Sequence, residues 1–578
     1  MAIKLQAILF DTRSIQKYIF ASNRLKTNIG ASFLVESAFS RELLHVLRER
    51  FGEDEVDDAT WREVESPDWT KMEQKCRIGY IGGGNALVLF SEGTTDEELV
   101  EVIRSFTKRL LWTTPGLRTG AARGEMVLEA DGAYRVTRVK RADGEEEAID
   151  DLTHLVRKLR AQQNLFFPAV SLPYTGLTLS CEASAETANA YDVDDVRKES
   201  RFLSWEVKRK LLAARQKGGV IAPAEEALLD KLRSILRTQA LAGETLPPSR
   251  VRAMSDPEEL ARELQKYAFP SEFEKLGQRE TEDYMAIVHI DGNNMGEKFR
   301  DCSTLTKRKN MSRAVYWKTV LAFCMLLADI LGDYAAMHKH LSLEEADDGK
   351  MLLPIRPIVL GGDDMTFVCT AKYALSFTRT IMEALNDLDI DTCGGVSILP
   401  TAYPFFRGYE IAEQLCDSAK GRMRKLANER EGLREEASCW LDFLRLHGEQ
   451  APTLAEIRRQ EYRAALGSLH FGPYRIDGES HYAFARLREL AEGLSKSLPS
   501  SKLKDLRAVL QHGEHEAEKY LEQIRHDGYA LPQPAGWEAY AAHLWQEHGG
   551  RMRTPFVEAI ELSEFLPPKS AHDGKEAS

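Results

Sequence analysis

One order of segments occurs twice in this 578-residue chain, and it restricts the folds that the chain can adopt. In the first copy, the apolar run KLQAILF leads into Asp11, and IGYIGGGNALVLF follows with a glycine-rich turn at Gly82. In the second copy, YMAIVHI leads into Asp291, and IRPIVLGGDDMTFVC follows with its turn at Gly361. The acid and the turn are 71 residues apart in the first copy and 70 in the second. We therefore predict two divergent copies of one unit.

Each copy continues with a helical run and a further strand. We expect that strand at GLTLS from Gly176 in the first copy and at GGVSIL from Gly394 in the second. The series of strand, helix, β-hairpin, helix and strand is typical of a ferredoxin-like, palm-type sheet with helices on one face. The predicted fold class is therefore α+β, with two ferredoxin-like palm domains.

The remaining sequence favours helices. Apolar residues recur at intervals of three and four in LSWEVKRKLLAARQ and EEALLDKLRSILRTQAL, and again after Gly432 from LREEASCWLDFLRL onward. We predict a first palm-like domain at 1–191, a helical linker domain at 192–280, a second palm domain at 281–431, a C-terminal helical bundle at 432–566 and a disordered tail at 567–578.

The strongest local pattern is a glycine pair followed by two acids, Gly361, Gly362, Asp363 and Asp364, between two β-rich runs. Glycines suit a tight hairpin turn because they adopt positive φ without strain. Adjacent carboxylates repel each other, so a divalent cation is a natural partner, although Gly and Asp also fit an ordinary solvated turn. Neighbouring strand residues point to opposite faces, and we rank Asp363 above Asp364 as the metal ligand.

A second acid supports the interpretation as a site. Asp291 ends a predicted strand and begins the loop Gly292, Asn293, Asn294, whose backbone amides could cradle phosphate oxygens. If the two strands are neighbours, Asp291, Asp363 and Asp364 converge. Three carboxylates suit two Mg²⁺ or Mn²⁺ ions and a phosphoryl or nucleotidyl transfer.

A third element follows the strand GGVSIL. The predicted helix in YPFFRGYEIAEQLCDSAKGRMRK carries Lys420 and Arg422 near its end, where cations could bind triphosphate oxygens. A basic helix end also complements the helix dipole, and that simpler interpretation stays open.

Charge and cysteine content exclude several classes of protein. The net charge of −13 excludes a basic field over the whole protein that would coat nucleic acid. None of the eight cysteines forms a C-x-x-C motif, so we expect no structural zinc and a reduced, cytoplasmic compartment. The most apolar stretch, TVLAFCMLLA, is shorter than the ~20 residues that span a bilayer, so we expect a buried helix and no membrane partner.

Taken in order, IDGNNMG, LGGDD and the later SAK resemble the second palm domain of the CRISPR polymerase family, the large subunit of type III CRISPR effector complexes. The stretch FDTRSIQKYIFASNRLKTNIGASFLVE resembles that family's first palm region. The resemblance implies nucleotidyl-cyclase-like palm domains that join ATP into 3′–5′ linked cyclic oligoadenylates, with effector subunits and guide and target RNA as partners.

The resemblance also assigns residues. Asp291, Asp363 and Asp364 match the family's metal-binding positions, and Gly361 and Gly362 match its turn glycines. The first copy reads GGGN at the same turn, so we expect it to be structural or to support a second nucleotide. His-Asp pairs occur only at 526–527 and 572–573 without further metal ligands, so we do not predict the DNA cleavage found in many family members.

Two alternatives remain at this stage. One is a non-catalytic scaffold subunit that binds nucleotide and helps to assemble a ribonucleoprotein. The other is a cyclase of the GGDEF type that makes a cyclic dinucleotide. The sequence does not indicate the ring size of the product, the residues that select the base, the activating ligand or the oligomeric state.

Overall fold

The computed structural model describes residues 2–63, 67–140, 146–163, 174–184, 186–193, 200–216, 221–242, 257–276, 283–346, 348–429, 438–447, 453–478, 480–512, 514–548 and 550–567. The fold is mixed α+β, as predicted. The chain divides into two compact units. The first unit contains Met1–Ile235, Asn294–Val320 and Gly361–Asp363, and the second contains Leu236–Asn293, Leu321–Leu360 and Asp364–Ser578.

The elements are named in chain order. Up to residue 242 they are β1 (Ile3–Arg13), α1 (Ile15–Ile19), α2 (Leu25–Ser37), α3 (Leu44–Phe51), β2 (Val56–Asp57), β3 (Cys76–Gly82), β4 (Asn85–Phe90), α4 (Asp96–Thr113), β5 (Arg118–Leu128), β6 (Val136–Lys140), β7 (Glu146–Asp150), α5 (Asp151–Gln163), β8 (Ala190–Val193), β9 (Ser200–Leu203), α6 (Trp205–Ala214) and α7 (Pro223–Ala242).

After residue 256 the elements are α8 (Pro257–Glu263), β10 (Tyr267–Ala268), β11 (Tyr284–Gly292), α9 (Met295–Arg300), α10 (Leu305–Gly332), α11 (Tyr334–Leu341), β12 (Met351–Leu352), β13 (Ile355–Gly361), β14 (Asp364–Thr370), α12 (Ala374–Asp387), β15 (Thr392–Pro400), α13 (Phe405–Glu429), β16 (Trp440–Arg445), α14 (Leu454–Glu461), β17 (Tyr474–Arg475), α15 (Phe484–Ser497), α16 (Ser500–His512), α17 (Glu514–His526), α18 (Glu538–His543), β18 (Gln546–His548), β19 (Arg551–Arg553) and α19 (Phe556–Ser563).

The first sheet has the strand order β2-β3-β4-β1-β5, and β1 is antiparallel to both of its neighbours. The strands β3 and β4 form the predicted hairpin, and its turn residues Gly83 and Gly84 have φ of +58° and +76°. Because L residues with side chains rarely adopt positive φ, the glycines allow this two-residue turn to form. The hairpin predicted from IGYIGGGNALVLF is confirmed.

The further strand of the first copy was predicted at the wrong segment. The segment GLTLS from Gly176 is not a regular strand, and Ser180 forms only an isolated bridge with Thr187. The strand that pairs with β1 on the side away from β4 is β5. It begins five residues after α4. Both segments are short and contain apolar residues, so local pattern alone did not show which of them pairs over eleven residues with β1.

The second sheet has the order β13-β14-β11-β15-β16-β17, so β3-β4-β1-β5 and β13-β14-β11-β15 follow the same order. The strand β15 contains the predicted GGVSIL segment. Its two glycines let helices approach both faces, so the prediction of helices on one face was wrong for this sheet. A Cβ on Gly394 would lie 3.0 Å from the sulfur of Met382 on α12, and one on Gly395 would overlap the carbonyl oxygen of Ala412 on α13.

The C-terminal segment is not helical throughout. The run LREEASCWLDFLRL was predicted as helix, but Trp440–Arg445 forms β16, which pairs parallel to β15. All but the last of its six side chains are buried, and a short apolar run of this kind fits a buried strand as well as a helix. The helices predicted from YAFARLRELAEGL and KLKDLRAVLQ are confirmed as α15 and α16.

The helices predicted between the two copies are confirmed as α6 and α7. The break GETLPPSRVRAMSDPEE falls mostly outside the described residues, as does the tail 568–578, which we predicted to be disordered. The apolar stretch TVLAFCMLLA belongs to α10, a helix of 28 residues. By length and composition α10 is long and apolar enough to cross a membrane, but most of its apolar window is buried inside the protein. It is therefore the buried core helix that we expected, although it is longer than the apolar stretch alone.

Candidate functional site

Two carboxylates lie side by side in the second sheet. Asp291 on β11 is the direct cross-strand partner of Asp364 on β14, and Cys393 on β15 occupies the same row on the other side. Directly opposed residues of antiparallel strands have Cβ atoms ~4.5–5.5 Å apart and project from the same face. The side chains of Asp291 and Asp364 are 29% and 25% exposed, so both remain accessible. Two like charges in this arrangement repel each other and require compensation.

Lys420 supplies part of that compensation. Its ammonium group donates a hydrogen bond to Oδ2 of Asp291. Burial acts to lower the pKa of Lys420, whereas the Cys416 sulfur and the Asp291 carboxylate raise it, and the net shift is upward. The lysine is therefore charged at neutral pH. It reaches the acid because α13 packs closely on the sheet at Gly395, two rows from Asp291 along β15 and β11.

His289 is a neighbour of the acids that sequence reasoning missed. Its Nδ1 lies 3.3 Å from Oδ1 of Asp364 and 3.2 Å from Oγ1 of Thr366, and the residue is buried. The ring packs edge-on against Tyr409 of α13, with centroids 5.7 Å apart. The signal was present in the sequence: a residue two positions before Asp291 in a strand projects from the same face.

Tyr409 closes the same face from α13. Burial, together with the negative charge of Asp364, raises the pKa of its phenol far above the usual value. The phenol is therefore neutral and adds no third negative charge beside the acids. Burial likewise raises the pKa of the Cys393 thiol to about 12, so this side chain is a neutral thiol at neutral pH.

Asp363 lies in the hairpin turn rather than in a strand. The two residues between β13 and β14 are Gly362, with φ of +71°, and Asp363. Asp363 belongs to the first unit with both glycines of the motif, where Oγ1 of Thr319 donates to the Gly362 carbonyl at 2.7 Å. The strand register therefore favours Asp364, the acid that we ranked second, as the partner of Asp291.

The residues after Asp291 already have partners within the protein. The backbone N–H of Asn293 donates to the Asp391 carbonyl at 2.8 Å, and its side-chain Nδ2 donates to the Ser438 carbonyl at 3.2 Å. Asn293 and Gly292 are buried, whereas Asn294 is exposed, with φ of +56°, directly before α9. The amide nitrogen of Asn293 that we assigned to phosphate binding is thus used in a structural contact.

Lys420 and Arg422 do not act on the same group. The guanidinium of Arg422 lies over the ring of Tyr482, 4.1 Å from its centroid, whereas Lys420 contacts Asp291. Residues two apart on a helix face different directions, which explains the divergence. The structure therefore links only Lys420 of this pair to the acids.

In the first sheet, the corresponding pair of residues contains only one acid. Asp11 on β1 is opposite Asn85 on β4, in the same register as Asp291 and Asp364. Burial raises the pKa of Asp11, and the Gln163 side chain donates a 2.8 Å hydrogen bond to its Oδ2. A single, half-buried carboxylate bound to an amide lacks the charge needed for a pair of divalent ions.

No family profile matches this chain, and no curated protein matches it. Several solved structures are similar to this chain. Csm1 in T. onnurineus is 13% identical, with a TM-score of 0.46, over 98% of this chain and 70% of that chain. A Csm1-Csm4 cassette in complex with pppApApA is 12% identical, with a TM-score of 0.45. The match covers 97% of this chain and 69% of that chain. The apo Csm1-Csm4 cassette is 13% identical, with a TM-score of 0.39. The match covers 72% of this chain and 53% of that chain.

This chain thus spans 53% of the apo cassette chain and 70% of the Csm1 chain from T. onnurineus. Another similar structure is a Csm1-Csm4 subcomplex of the type III-A CRISPR-Csm interference complex.

Proposed function

We propose that this protein is a nucleotidyltransferase that joins ATP into 3′–5′ linked cyclic oligoadenylates by two-metal catalysis, as part of CRISPR-type antiviral defence in the cytoplasm. The observation that carries the proposal is the direct pairing of Asp291 with Asp364 at the open end of a glycine hairpin. Only one member of the corresponding pair in the first sheet is an acid.

The carboxylate oxygens of Asp291 and Asp364 are suitable ligands for Mg²⁺ or Mn²⁺. Adjacent, partly exposed carboxylate oxygens are the ligands that these hard cations prefer. Asp291 and Asp364 would hold the ions, and Asp363, which directly precedes Asp364, would contribute the third carboxylate. Such ions, when bound, lower the pKa of an attacking hydroxyl and neutralise the phosphates.

The residues of the chain would then act as follows. The 3′ hydroxyl of one ATP attacks the α-phosphorus of the next, the new O–P bond forms, pyrophosphate leaves and the hydroxyl proton passes to solvent. Lys420, which balances Asp291 in the absence of ions, would turn to the triphosphate once ions neutralise that acid. The exposed Asn294 and the backbone around Gly292 are proposed phosphate contacts, and His289 would hold Asp364 in position.

The palm domains at 1–191 and 281–431 are part of the same proposal, with the first as the degenerate copy. Effector subunits and guide and target RNA are its proposed macromolecular partners. ATP is the first nucleotide to test because the motifs IDGNNMG and LGGDD resemble those of the CRISPR polymerases.

A second function, a non-catalytic nucleotide-binding scaffold, is favoured by one observation. The Lys420 ammonium already neutralises Asp291, an arrangement that is stable without any metal. A scaffold would bind nucleotide through the lysine and form no product.

Product analysis separates these functions. The full chain is incubated with labelled ATP or GTP and with Mg²⁺ or Mn²⁺, and products are identified by chromatography and mass spectrometry. Oligoadenylates absent from an Asp291→Asn, Asp364→Asn double variant support the proposal. ATP binding that does not depend on Mg²⁺ and yields no product supports the scaffold, and a cyclic guanine dinucleotide supports the GGDEF-type alternative.

A further inference from the structure

A buried group of three potential metal ligands lies apart from the paired acids in the second unit. Asp442 is on β16, His470 lies between α14 and β17, and Glu558 is on α19. One ligand atom from each residue lies within 4.8 Å of the other two. Asp442 and Glu558 are 0% and 2% exposed, and the side chain of His470 is 13% exposed. Three segments far apart in sequence therefore converge on one small volume.

Two distances in this group are close to those between ligand atoms of one metal ion. Nε2 of His470 lies 3.4 Å from Oδ1 of Asp442 and 3.6 Å from Oε1 of Glu558. Both are longer than the usual 2.7–3.2 Å of an N–H···O hydrogen bond, and a single N–H shared between two acceptors at these distances bonds only weakly to each. Ligand atoms bound tetrahedrally at about 2.0–2.1 Å from Zn²⁺ are roughly 3.3 Å apart, close to the observed spacing.

The other oxygen of each carboxylate is already held. Oδ2 of Asp442 accepts a 2.6 Å hydrogen bond from Arg458. Oε2 of Glu558 accepts from the Tyr474 hydroxyl at 2.7 Å and from the backbone N–H groups of Phe471 at 2.7 Å and Gly472 at 3.2 Å. Hydrogen bonds of this kind orient carboxylate ligands around metals. Both side chains are thus fixed with their remaining oxygen near His470, and Oδ1 of Asp442 also accepts a 3.0 Å hydrogen bond from the backbone N–H of Phe443.

One of these oxygens lacks a hydrogen bond. Oε1 of Glu558 is buried and accepts no hydrogen bond among the described residues, and the His470 nitrogen lies 3.6 Å from it. A buried carboxylate oxygen without a partner is costly, and a cation removes that cost. The Arg458 guanidinium hydrogen-bonds to Asp442, so a divalent ion would supply the positive charge beside Glu558.

We propose that Asp442, His470 and Glu558 bind one Zn²⁺ ion through Oδ1, Nε2 and Oε1, with water as the fourth ligand. The ion would tie β16 and α19 to the segment that carries His470 and would stabilise the second unit. The sequence offered no such site because its zinc expectation considered only cysteine ligands. The inference does not depend on the proposed nucleotidyltransferase activity.

Metal content and thermal stability test this site on the full-length chain, purified without chelators. We expect close to one zinc per chain by elemental analysis, a lower melting temperature after chelation and recovery when ZnCl₂, but not MgCl₂, is added back. His470→Gln keeps a hydrogen-bonding side chain but should bind no zinc and should lose the response to chelator.

His447→Gln is the matched control. His447 also lies beside a buried acid, with Nε2 3.7 Å from Oε1 of Glu561, but Arg507 contacts both side chains at that place. This variant should retain zinc. Substitution with Co²⁺ gives a further readout, because His and carboxylate ligands yield a tetrahedral spectrum without the thiolate charge-transfer band that cysteines would produce.

Several results would overturn the proposal: wild-type protein that neither contains nor binds zinc, a melting temperature unchanged by chelator, or equal zinc in wild type and His470→Gln. Each would identify the group as a metal-free cluster in which the two carboxyl groups share the His470 ring nitrogen as a hydrogen-bonding partner. The wild-type measurements decide the question even if the variant does not fold.

Discussion

Asp364 stands directly across the β11–β14 ladder from Asp291, and the corresponding position in the first sheet is Asn85 facing Asp11. The two sheets thus share a strand order and a register but differ in one carboxylate at one row. That difference gives the second sheet a pair of like charges that folding alone does not favour, because opposed like charges destabilise a ladder. A bound cation would remove this repulsion, and both side chains are exposed enough to reach one.

Asp364→Asn should lower product formation by at least about 100-fold, because a lost metal ligand removes several kcal/mol of transition-state stabilisation. The melting temperature should stay the same or rise, since the substitution removes repulsion from Asp291. Asp389→Asn, at an exposed position with φ of +60°, is the control and should change neither quantity. Turnover that survives in Asp364→Asn would rule out the assigned role.

Lys420→Ala should weaken the apparent affinity for ATP roughly 10- to 100-fold, as expected for loss of a charged hydrogen bond of about 1.5–3 kcal/mol. The Mg²⁺ concentration needed for activity should fall, because the ammonium no longer competes for Asp291. Steady-state kinetics at varied ATP and Mg²⁺ measures both effects. Arg424→Ala, exposed on the same helix, should leave them unchanged. An unaltered KM in Lys420→Ala would show that the lysine does not meet the triphosphate.

His289→Ala should reduce kcat about 10- to 100-fold with little change in KM, because a residue that orients a metal ligand acts on the bound state. His289→Asn should restore part of the loss, since its amide nitrogen can replace Nδ1 beside Asp364. The exposed His526 provides the control His526→Gln. If alanine and asparagine variants are equally impaired, the histidine serves packing against Tyr409 rather than positioning.

Gly395→Ala should destabilise the second unit by about 1–3 kcal/mol, because the added methyl group overlaps the Ala412 carbonyl of α13. Gly421→Ala on the same helix meets nothing within 4 Å and should be neutral or stabilising, by up to about 1 kcal/mol. Urea-unfolding midpoints of the two variants compare these effects directly. Equal midpoints would show that α13 does not pack closely at Gly395.

Acid should weaken the first unit through Asp57. Burial acts to raise the pKa of Asp57, but hydrogen bonds from Thr60 and the Arg77 guanidinium, 2.6 Å away, bring it below its usual value. A lowered folded-state pKa means that the stabilisation is complete above the unfolded value of about 3.9 and is lost as the pH falls below it.

The melting temperature should therefore separate wild type from Asp57→Asn at pH 6, and the difference should shrink as the pH falls from 4 toward 2. Asp54→Asn, at an exposed position, should follow wild type throughout. A constant gap between wild type and Asp57→Asn at all pH values would show that the charge of Asp57 is not the source of the stabilisation.

Much of the local structure could be predicted from the sequence. Short apolar runs gave β1 and β11, glycine pairs gave the two hairpins, and three-four periodicity gave α6, α7, α15 and α16. These features depend on residues close together in the chain, which is why a sequence pattern reports them.

Other features could not be predicted because they depend on pairing between distant segments. The choice of β5 over GLTLS, and of a strand over a helix at Trp440–Arg445, was decided by which apolar run fits an open edge of the sheet. Strand register likewise placed Asp364, rather than Asp363, opposite Asp291.

The sequence by itself determined the types of residue available for chemistry: paired acids after a glycine turn, a basic helix and scattered histidines. Only the tertiary structure decided their partners, bringing Lys420 to Asp291, turning Arg422 to Tyr482 and uniting His470 with two buried acids. The physical reason is that electrostatic and hydrogen-bonding contacts act over a few ångströms. Which groups come that close is set by the packing of helices on sheets rather than by their order along the chain.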